Sequence, residues 1–432
     1  MGPTKRETNK RTSTGRLAAA SAVGTTLEWY DFTVYNTLAA LIFNRLFFPS
    51  FDPLTGTILA FSTYAVGYIS RPIGGVIFGH LGDKLGRRFV LFVTVTIMGL
   101  TTGLMGTLPT YAFAGKLSPI LLVTLRFVQG VALGGEWAGA VLLSVEHGDQ
   151  GKRGRNASYT QLGPALGTLL ATVCIASMTN LLSDDAFFAW GWRIPLLASL
   201  VLVGFGIWIR LGVDETPMFK ELEEAGAKAK TPIADVLRLF LRRLLIAGGV
   251  RVGTDVHYAL VAVFSLTYLT TVLNVPRTSA LTAIMIGTVF DAVAIPLCGI
   301  LSDRIGRRPV YAAGALLAIL WAFGFFILVD RSTTVSIVIA VVVGCLIHAL
   351  MFGPQAAFVA EQFPTRVRYA GSSLAYTLAG IVGGGFAPLA MASLLQLYRT
   401  TTGISIYIVG TLCVTLVALL LARETAKRPL EE

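Results

Sequence analysis

Charge is what this sequence has least of. Only 14% of its 432 residues are Asp, Glu, Lys or Arg, while 54% are hydrophobic; an ordinary soluble domain is roughly a quarter charged. A soluble chain of this length needs a charged surface around two or three cores, and these charges are too few to cover one. With a mean hydropathy of +0.70, the solvent for most of the chain is lipid, which excludes a soluble enzyme. Cysteine is also scarce. Cys174, Cys298, Cys345 and Cys413 lie in apolar runs without CxxC spacing, so they read as small buried hydrophobes and supply neither a disulfide framework nor a metal site. The four histidines, His80, His147, His257 and His348, are scattered without ligand spacing. No nucleophile stands beside a base, so neither a metal, a cofactor nor an enzyme activity is expected.

What the chain has instead is long apolar runs. A membrane span needs about 20 such residues, and twelve runs qualify, at 17–46, 54–80, 89–109, 119–147, 155–182, 190–211, 240–272, 278–301, 309–329, 333–361, 368–397 and 401–422. The first is too long and too interrupted for a signal peptide and reads as an uncleaved span. The basic residues then set the orientation. With the N-terminus inside, the inner segments hold 26 Lys and Arg. The outer ones hold six, Arg45, Lys116, Arg193, Arg277, Arg331 and Arg399. Both termini are therefore expected in the cytoplasm. The net charge of +11 becomes topological signal and contact with anionic headgroups, with no nucleic acid involved.

The longest internal polar stretch, 214–235, follows the sixth run. It divides the chain into a tail (1–16), a six-helix bundle (17–211), a linker (212–239), a second six-helix bundle (240–422) and a C-terminal tail (423–432). The bundles echo each other. Gly79-His80-Leu81-Gly82-Asp83-Lys84-Leu85-Gly86-Arg87-Arg88 recurs as Gly299-Ile300-Leu301-Ser302-Asp303-Arg304-Ile305-Gly306-Arg307-Arg308. Weaker echoes pair Glu146 and Arg153 with Glu361 and Arg368, and Glu215-Thr216 with Glu424-Thr425. The expected fold is an all-α integral membrane protein with twelve transmembrane helices in two pseudo-symmetric six-helix bundles. Parallel repeats of this kind describe a secondary transporter with its site between the halves.

The repeated Gly-x-Leu-x-Asp-x-x-Gly-Arg-Arg loops resemble the signature loop of the major facilitator superfamily. Several further motifs are similar to those of its metabolite:proton symporter branch, which includes shikimate, α-ketoglutarate, citrate and proline/betaine carriers. They are Thr26-Leu27-Glu28-Trp29-Tyr30-Asp31-Phe32, Arg71-Pro72-Ile73-Gly74-Gly75, Gly134-Gly135-Glu136-Trp137, Trp190-Gly191-Trp192-Arg193, Glu215-Thr216-Pro217 and Phe363-Pro364-Thr365-Arg366-Val367-Arg368. Phe43-Asn44-Arg45 and the Gly383-Gly384-Gly385 run resemble the shikimate-type carriers most. The resemblance implies proton-coupled uptake of a small metabolite.

Two groups of residues carry the chemistry. In the inner loops, Asp83 and Asp303 lie where a carboxylate can meet a helix N-terminus of the other half. Arg87, Arg88, Arg307 and Arg308 can pair with acids such as Glu146 and Glu361, with Arg153 and Arg368 beside them. Together these form a cytoplasmic gate, since topology explains arginine but not the repeated aspartate and glycines. Within the spans stand eight charges, Glu28, Asp31, Arg71, Arg126, Glu136, Arg251, Asp255 and Asp291, each costing at least about 2.5 kcal/mol on insertion scales. Five acids against three arginines implies that some acids hold protons.

Glu28 and Asp31, at i and i+3 on the first span with Trp29 and Tyr30 between them, make an acidic and aromatic wall; the alternative is a fixed partnership with Arg71 or Arg126. Arg126 and Arg71 are candidate anion clamps, Arg71 alternatively snorkelling to the surface. Arg251 and Asp255 are spaced to pair, and Glu136 lies among glycines. Asp291 has no basic residue in its own span, and His348 titrates in the right range. Arg193, between Trp190 and Trp192, reads as a snorkelling residue of the aromatic belt. The chain thus reads as a monomeric symporter of the cell membrane carrying a small organic anion with protons. A zwitterion carrier, a drug/proton antiporter with a greasier cavity, and a non-transporting sensor are the competing readings.

Overall fold

The computed structural model describes residues 14–85, 87–134, 141–142, 145, 150–211, 232–364 and 367–428. Among these residues all regular secondary structure is helical, without strands. Twelve spans succeed one another: span 1 (14–47), span 2 (53–85), span 3 (Arg87–Thr107), span 4 (from Leu117–Leu133 onward), span 5 (Arg153–Leu181), span 6 (184–211), span 7 (Leu241–Val272), span 8 (Arg277–Ile305), span 9 (Arg307–Val329), span 10 (Thr334–Glu361), span 11 (Arg368–Tyr398) and span 12 (Thr402–Leu421). Among the described residues, seven of these are individually long and apolar enough to cross a membrane, namely span 5 and spans 7 to 12. Span 6 is an eighth, bent by 45° between Asp184–Gly191 and Arg193–Phe205. Of the rest, span 1 carries its own acids and span 2 breaks at Ser70, while Phe92–Thr107 and Leu117–Leu133 of spans 3 and 4 are shorter apolar helices over the described residues.

Local chemistry sets the helix ends. Asp52 opens span 2 by accepting the N–H groups of Leu54 and Thr55, with Pro53 at the first helical position. Thr333 opens span 10 by accepting the N–H of Ser336 at 3.2 Å. Ser183 accepts from Ala186, which starts span 6 at Asp184 and not at 190 as the hydropathy suggested. Residues 232–239, expected in the linker, form the short helix Pro232–Leu239. Spans 1, 7 and 11 each contain π-helical turns, Ala39–Phe43, Ala259–Phe264, Tyr268–Val272 and Ile381–Gly385. Such turns break the regular ladder and tend to mark working parts of helices.

Two expectations about side-chain environment are corrected. Cys298 and Cys345 are buried, but Cys413 is exposed on the outer face of span 12, because an apolar residue costs nothing when it faces lipid. Arg193 does not snorkel. Its Nη1 donates to the carbonyls of Gly106 and Leu108, at 2.9 and 2.6 Å, and its guanidinium lies 4.4 Å from the Trp192 ring centroid. It therefore satisfies the free carbonyls at the end of span 3 and ties that span to span 6.

Candidate functional site

Span 1 crosses the centre of the molecule with its polar residues in two directions. Trp29, Thr33, Asn36 and Thr37 recur at helical spacing and line a small cavity. The other walls come from Thr168 and Thr172 of span 5, Tyr258, Ala262, Val263 and Leu266 of span 7, and Leu281 and Ile284 of span 8. The cavity therefore lies between the halves. Thr33 and Thr168 hydroxyls are 3.1 Å apart, and Thr168 is 2.9 Å from the Tyr258 hydroxyl, so one hydrogen-bonded chain joins spans 1, 5 and 7. None of these polar residues stood out as a site in the sequence. The signal that could have found them is the uninterrupted stripe 29, 33, 36, 37 with a matching Thr168/Thr172 pair at i, i+4.

The structure separates the two acids of span 1. Glu28 lines a second crevice between the halves with Arg71, Leu133, Gly134, Ser373, Tyr376 and Thr377. Asp31 turns into the first half, where it accepts a hydrogen bond from Ser199 of span 6 and faces Thr102 of span 3. Residues three apart on a helix are displaced by about 60° around its axis, enough here for different neighbours. Tyr30 also faces the first half, donating to the Pro195 carbonyl at 2.8 Å.

Arg71 is only 4% exposed, so it does not snorkel. Its guanidinium lies over Tyr68 and Phe32, 4.2 and 4.7 Å from the ring centroids. Arg126 is fully buried against Tyr35, Phe32 and Tyr64 at 4.1, 4.5 and 5.3 Å. Its Nη1 donates to Gln129 at 2.5 Å, and Gln129 donates onward to Thr102. Among the described residues, Arg71 Nε and Arg126 Nε and Nη2 have no hydrogen-bond partner. Aromatic faces partly compensate a buried guanidinium, but they leave those N–H groups available.

In the second half Arg251 pairs with Asp255 at 2.9 Å, donates to the Tyr376 carbonyl at 2.7 Å and stacks on the Tyr376 ring. His257 is held by the Gly344 carbonyl at 2.9 Å. Asp291 and His348, singled out separately in the sequence, meet: the imidazole Nδ1 is 3.1 Å from both carboxylate oxygens. Glu136 lies outside the described residues.

The gate residues gather at the end of the molecule where span 12 finishes, here called the tail end. Asp303 accepts the N–H groups of Gly154 and Arg155 at 2.8 and 2.9 Å. A second-half carboxylate thus caps the N-terminus of span 5 in the first half. Gly154 makes the approach possible, since a Cβ there would stand 2.7 Å from the Gly299 carbonyl oxygen. Arg153 reaches Glu361 at 3.0 Å and donates to the carbonyls of Thr425, Ala426 and Arg428. Arg307 joins the same carboxylate at 3.3 Å and Asp303 at 2.7 Å. Gly306 ends span 8 at φ 112°, a backbone that only glycine adopts freely. The turn lets Glu424 accept the N–H groups of Arg307 and Arg308.

Two further gate candidates have contacts in the second half: Arg308 donates to the Leu420 carbonyl and Arg368 to that of Phe363. Glu146 and the side chains of Asp83, Arg87 and Arg88 lie outside what is described.

At the opposite end the halves touch through Arg277 and Asp184 at 2.9 Å, Thr267 on the Ala40 carbonyl at 3.2 Å and Gln396 on Thr55 at 2.7 Å. The central cavity is therefore bounded by contacts between the halves on both sides.

Comparison with known proteins agrees with this architecture. The family model described as Major Facilitator Superfamily matches residues 22–388 and 257–431. The chain is 37% identical over 416 residues to the shikimate transporter of Escherichia coli (strain K12), covering 95% of each chain. It is 35% identical over 423 residues to the inner membrane metabolite transport protein YhjE of the same organism, covering 97% of this chain and 96% of that one. Among solved structures, the partially occluded inward-open xylose transporter XylE from E. coli superposes with a TM-score of 0.75, covering 96% of this chain and 99% of that one, at 17% identity. The matches run from span 1 to span 12, and the chain belongs to the major facilitator superfamily of multi-pass membrane transporters.

Proposed function

We propose that the protein is a proton-coupled symporter that brings a small organic acid into the cell by alternating access between its two halves. In this reading both termini and the tail end face the cytoplasm, as the distribution of basic residues supports. The observation that carries the substrate class is the pair of buried arginines, Arg71 and Arg126, with three N–H groups left without partners among the described residues. Donors in that state are costly in a membrane interior, and a carboxylate satisfies them in a forked geometry. Arg71 borders the crevice between the halves that Glu28 and Tyr376 share, which supports it as the first contact for an anion. The hydroxyl-rich cavity beside Trp29 suits a polyhydroxylated body. Relatives named for shikimate and metabolite transport point the same way. The tail-end contacts around Asp303, Arg153 and Glu361 would serve as the inner gate.

The test is uptake of labelled shikimate into vesicles containing the purified protein. An inward proton gradient is expected to raise uptake and a protonophore to abolish it; uptake indifferent to both would defeat the coupling. Competition by α-ketoglutarate, citrate and benzoate, but not by betaine, is the expected pattern; the reverse would favour a zwitterion carrier. Arg126→Lys keeps the charge but loses the fork. Since a hydrogen bond to a charged group is worth about 1.5–3 kcal/mol, KM is expected to rise roughly ten- to a hundredfold.

A further inference from the structure

We propose that Asp291 of span 8 and His348 of span 10 together form the proton-carrying unit of this transporter, with Tyr258 linking that unit to the central cavity. The inference rests on the symporter reading and adds to it the identity of the proton site. It starts from position. The buried face of span 8 runs through Leu281 and Ile284, which line the cavity, to Asp291 and on to Gly299, Ser302 and Asp303, where the halves close. Span 10 carries His348 and, further along, the gate carboxylate Glu361. The pair therefore stands between the cavity and the tail-end closure, at 3% and 4% exposure.

The surroundings tie it in both directions. The imidazole lies between the Tyr258 ring, with centroids 5.0 Å apart, and the Phe352 ring, stacked at 4.7 Å. Tyr258 lines the cavity, and its hydroxyl belongs to the chain through Thr168 to Thr33. The Phe352 carbonyl accepts from Gln161 of span 5 at 3.5 Å. A substrate pressing on the cavity wall thus presses on the ring that covers the histidine, and the histidine's other neighbour touches the opposite half.

Charge distinguishes this pair from the other buried acids. Asp255 already has the permanently charged Arg251, and protonating it would strand a buried guanidinium. Asp291 and His348 can both change charge, and with Nδ1 3.1 Å from both carboxylate oxygens a proton on either is shared by the pair. Without the extra proton the unit is a carboxylate beside a neutral imidazole, net −1. One proton from the cavity forms an N–H or O–H bond within the pair, bringing its net charge to zero. Losing that proton toward the tail end restores −1. The groups that bias the equilibrium are the titratable side chains around it: Tyr258, His257 and Asp255 of span 7, the last held by Arg251, with Cys298 of span 8 and Cys345 of span 10. The neutral form is the one in which spans 8 and 10 can slide past span 5 without carrying a bare charge through an apolar contact.

Two measurements on the full-length protein test this. The first needs no substrate: infrared titration of purified protein with isotope-labelled histidine. An imidazole band and a carboxyl band are expected to change over one shared pH range, and both changes to disappear in Asp291→Asn and in His348→Gln. Persistence of both in either folded variant, or no such shared change in the wild type, would overturn the assignment. The second uses shikimate as the probe and compares counterflow without a gradient to accumulation with one. With one proton per molecule, a gradient of one pH unit supports about tenfold accumulation. Asp291→Asn, which removes the charge that the proton would neutralise, is expected to bring accumulation down to the equilibrium level while counterflow continues; His348→Gln, which leaves the Asp291 carboxylate without its partner, is expected to lower both. Wild-type accumulation in either variant would reject the pair. If shikimate is not moved at all, the symporter reading of its substrate fails, and the infrared result still decides the proton site.

Discussion

The two ends of the molecule close by different means. At the tail end, buried charges do it: Arg153 and Glu361 are 2% and 1% exposed, Arg307 is buried beside them, and Asp303 caps span 5 across the boundary between the halves. At the opposite end the ion pair is superficial, with Asp184 81% exposed, and two neutral hydrogen bonds accompany it. Removing one member of a buried pair costs about 3–5 kcal/mol because the partner is stranded; a surface pair contributes about 0–1 kcal/mol. The tail end is therefore closed by a few groups that must be made or broken together, whereas the opposite end can open at little electrostatic cost.

The comparison is tested most severely at Glu361. Glu361→Gln leaves Arg153 without its carboxylate and Arg307 with Asp303 alone, and is expected to weaken the tail-end closure by about 3–5 kcal/mol. In a background without the four native cysteines, a cysteine replacing the buried Ser158 should then label much faster; an unchanged rate would show that packing alone holds that end shut.

A smaller effect is expected at Glu424, where pH supplies the control. Burial pushes its carboxyl up, but the N–H groups of Ala426, Arg308, Arg307 and Thr425 outweigh it and hold it below the ordinary glutamate value. A depressed value means that the ionised cap stabilises the fold fully above the ordinary carboxylate range and loses this contribution as pH falls through the depressed value. The Tm difference between wild type and Glu424→Gln should be present at neutral pH and shrink in acid. A difference that does not change with pH would mean that the cap does not work through its charge. The smallest effect belongs to Arg277→Ala, with at most about 1 kcal/mol lost and labelling at the tail end unaltered. A larger loss would make the two ends alike.

Much of this architecture is legible residue by residue. The repeated loop announces two related halves, and its parts have visible work in the second copy. Asp303 caps span 5, Gly306 supplies the positive φ, and Arg307 joins Asp303 to Glu361. The eight charges within the spans were also conspicuous, because lipid offers them no solvation. Their partnerships were not. Arg251 and Asp255 lie one helical turn apart, so spacing suggested their pairing, yet Glu28 and Asp31 are as close in sequence and face different neighbours. Of the cavity stripe, Trp29 is legible beside Glu28 and Asp31, but Thr33, Asn36 and Thr37 are not, because threonine and asparagine are unremarkable in a small-residue helix until another half is packed against them.

The sequence by itself determined the solvent, the number of spans, the doubled design and the family. These follow from composition and local period, which need no knowledge of neighbours. Only the tertiary structure decided that Asp291 meets His348, 57 positions away, that Arg193 caps span 3, and that Asp31 belongs to the interior of one half while Glu28 belongs to the boundary between the two. Those choices depend on how each helix is rotated about its axis and which helix lies beside it, and both are set by the packing of all twelve together.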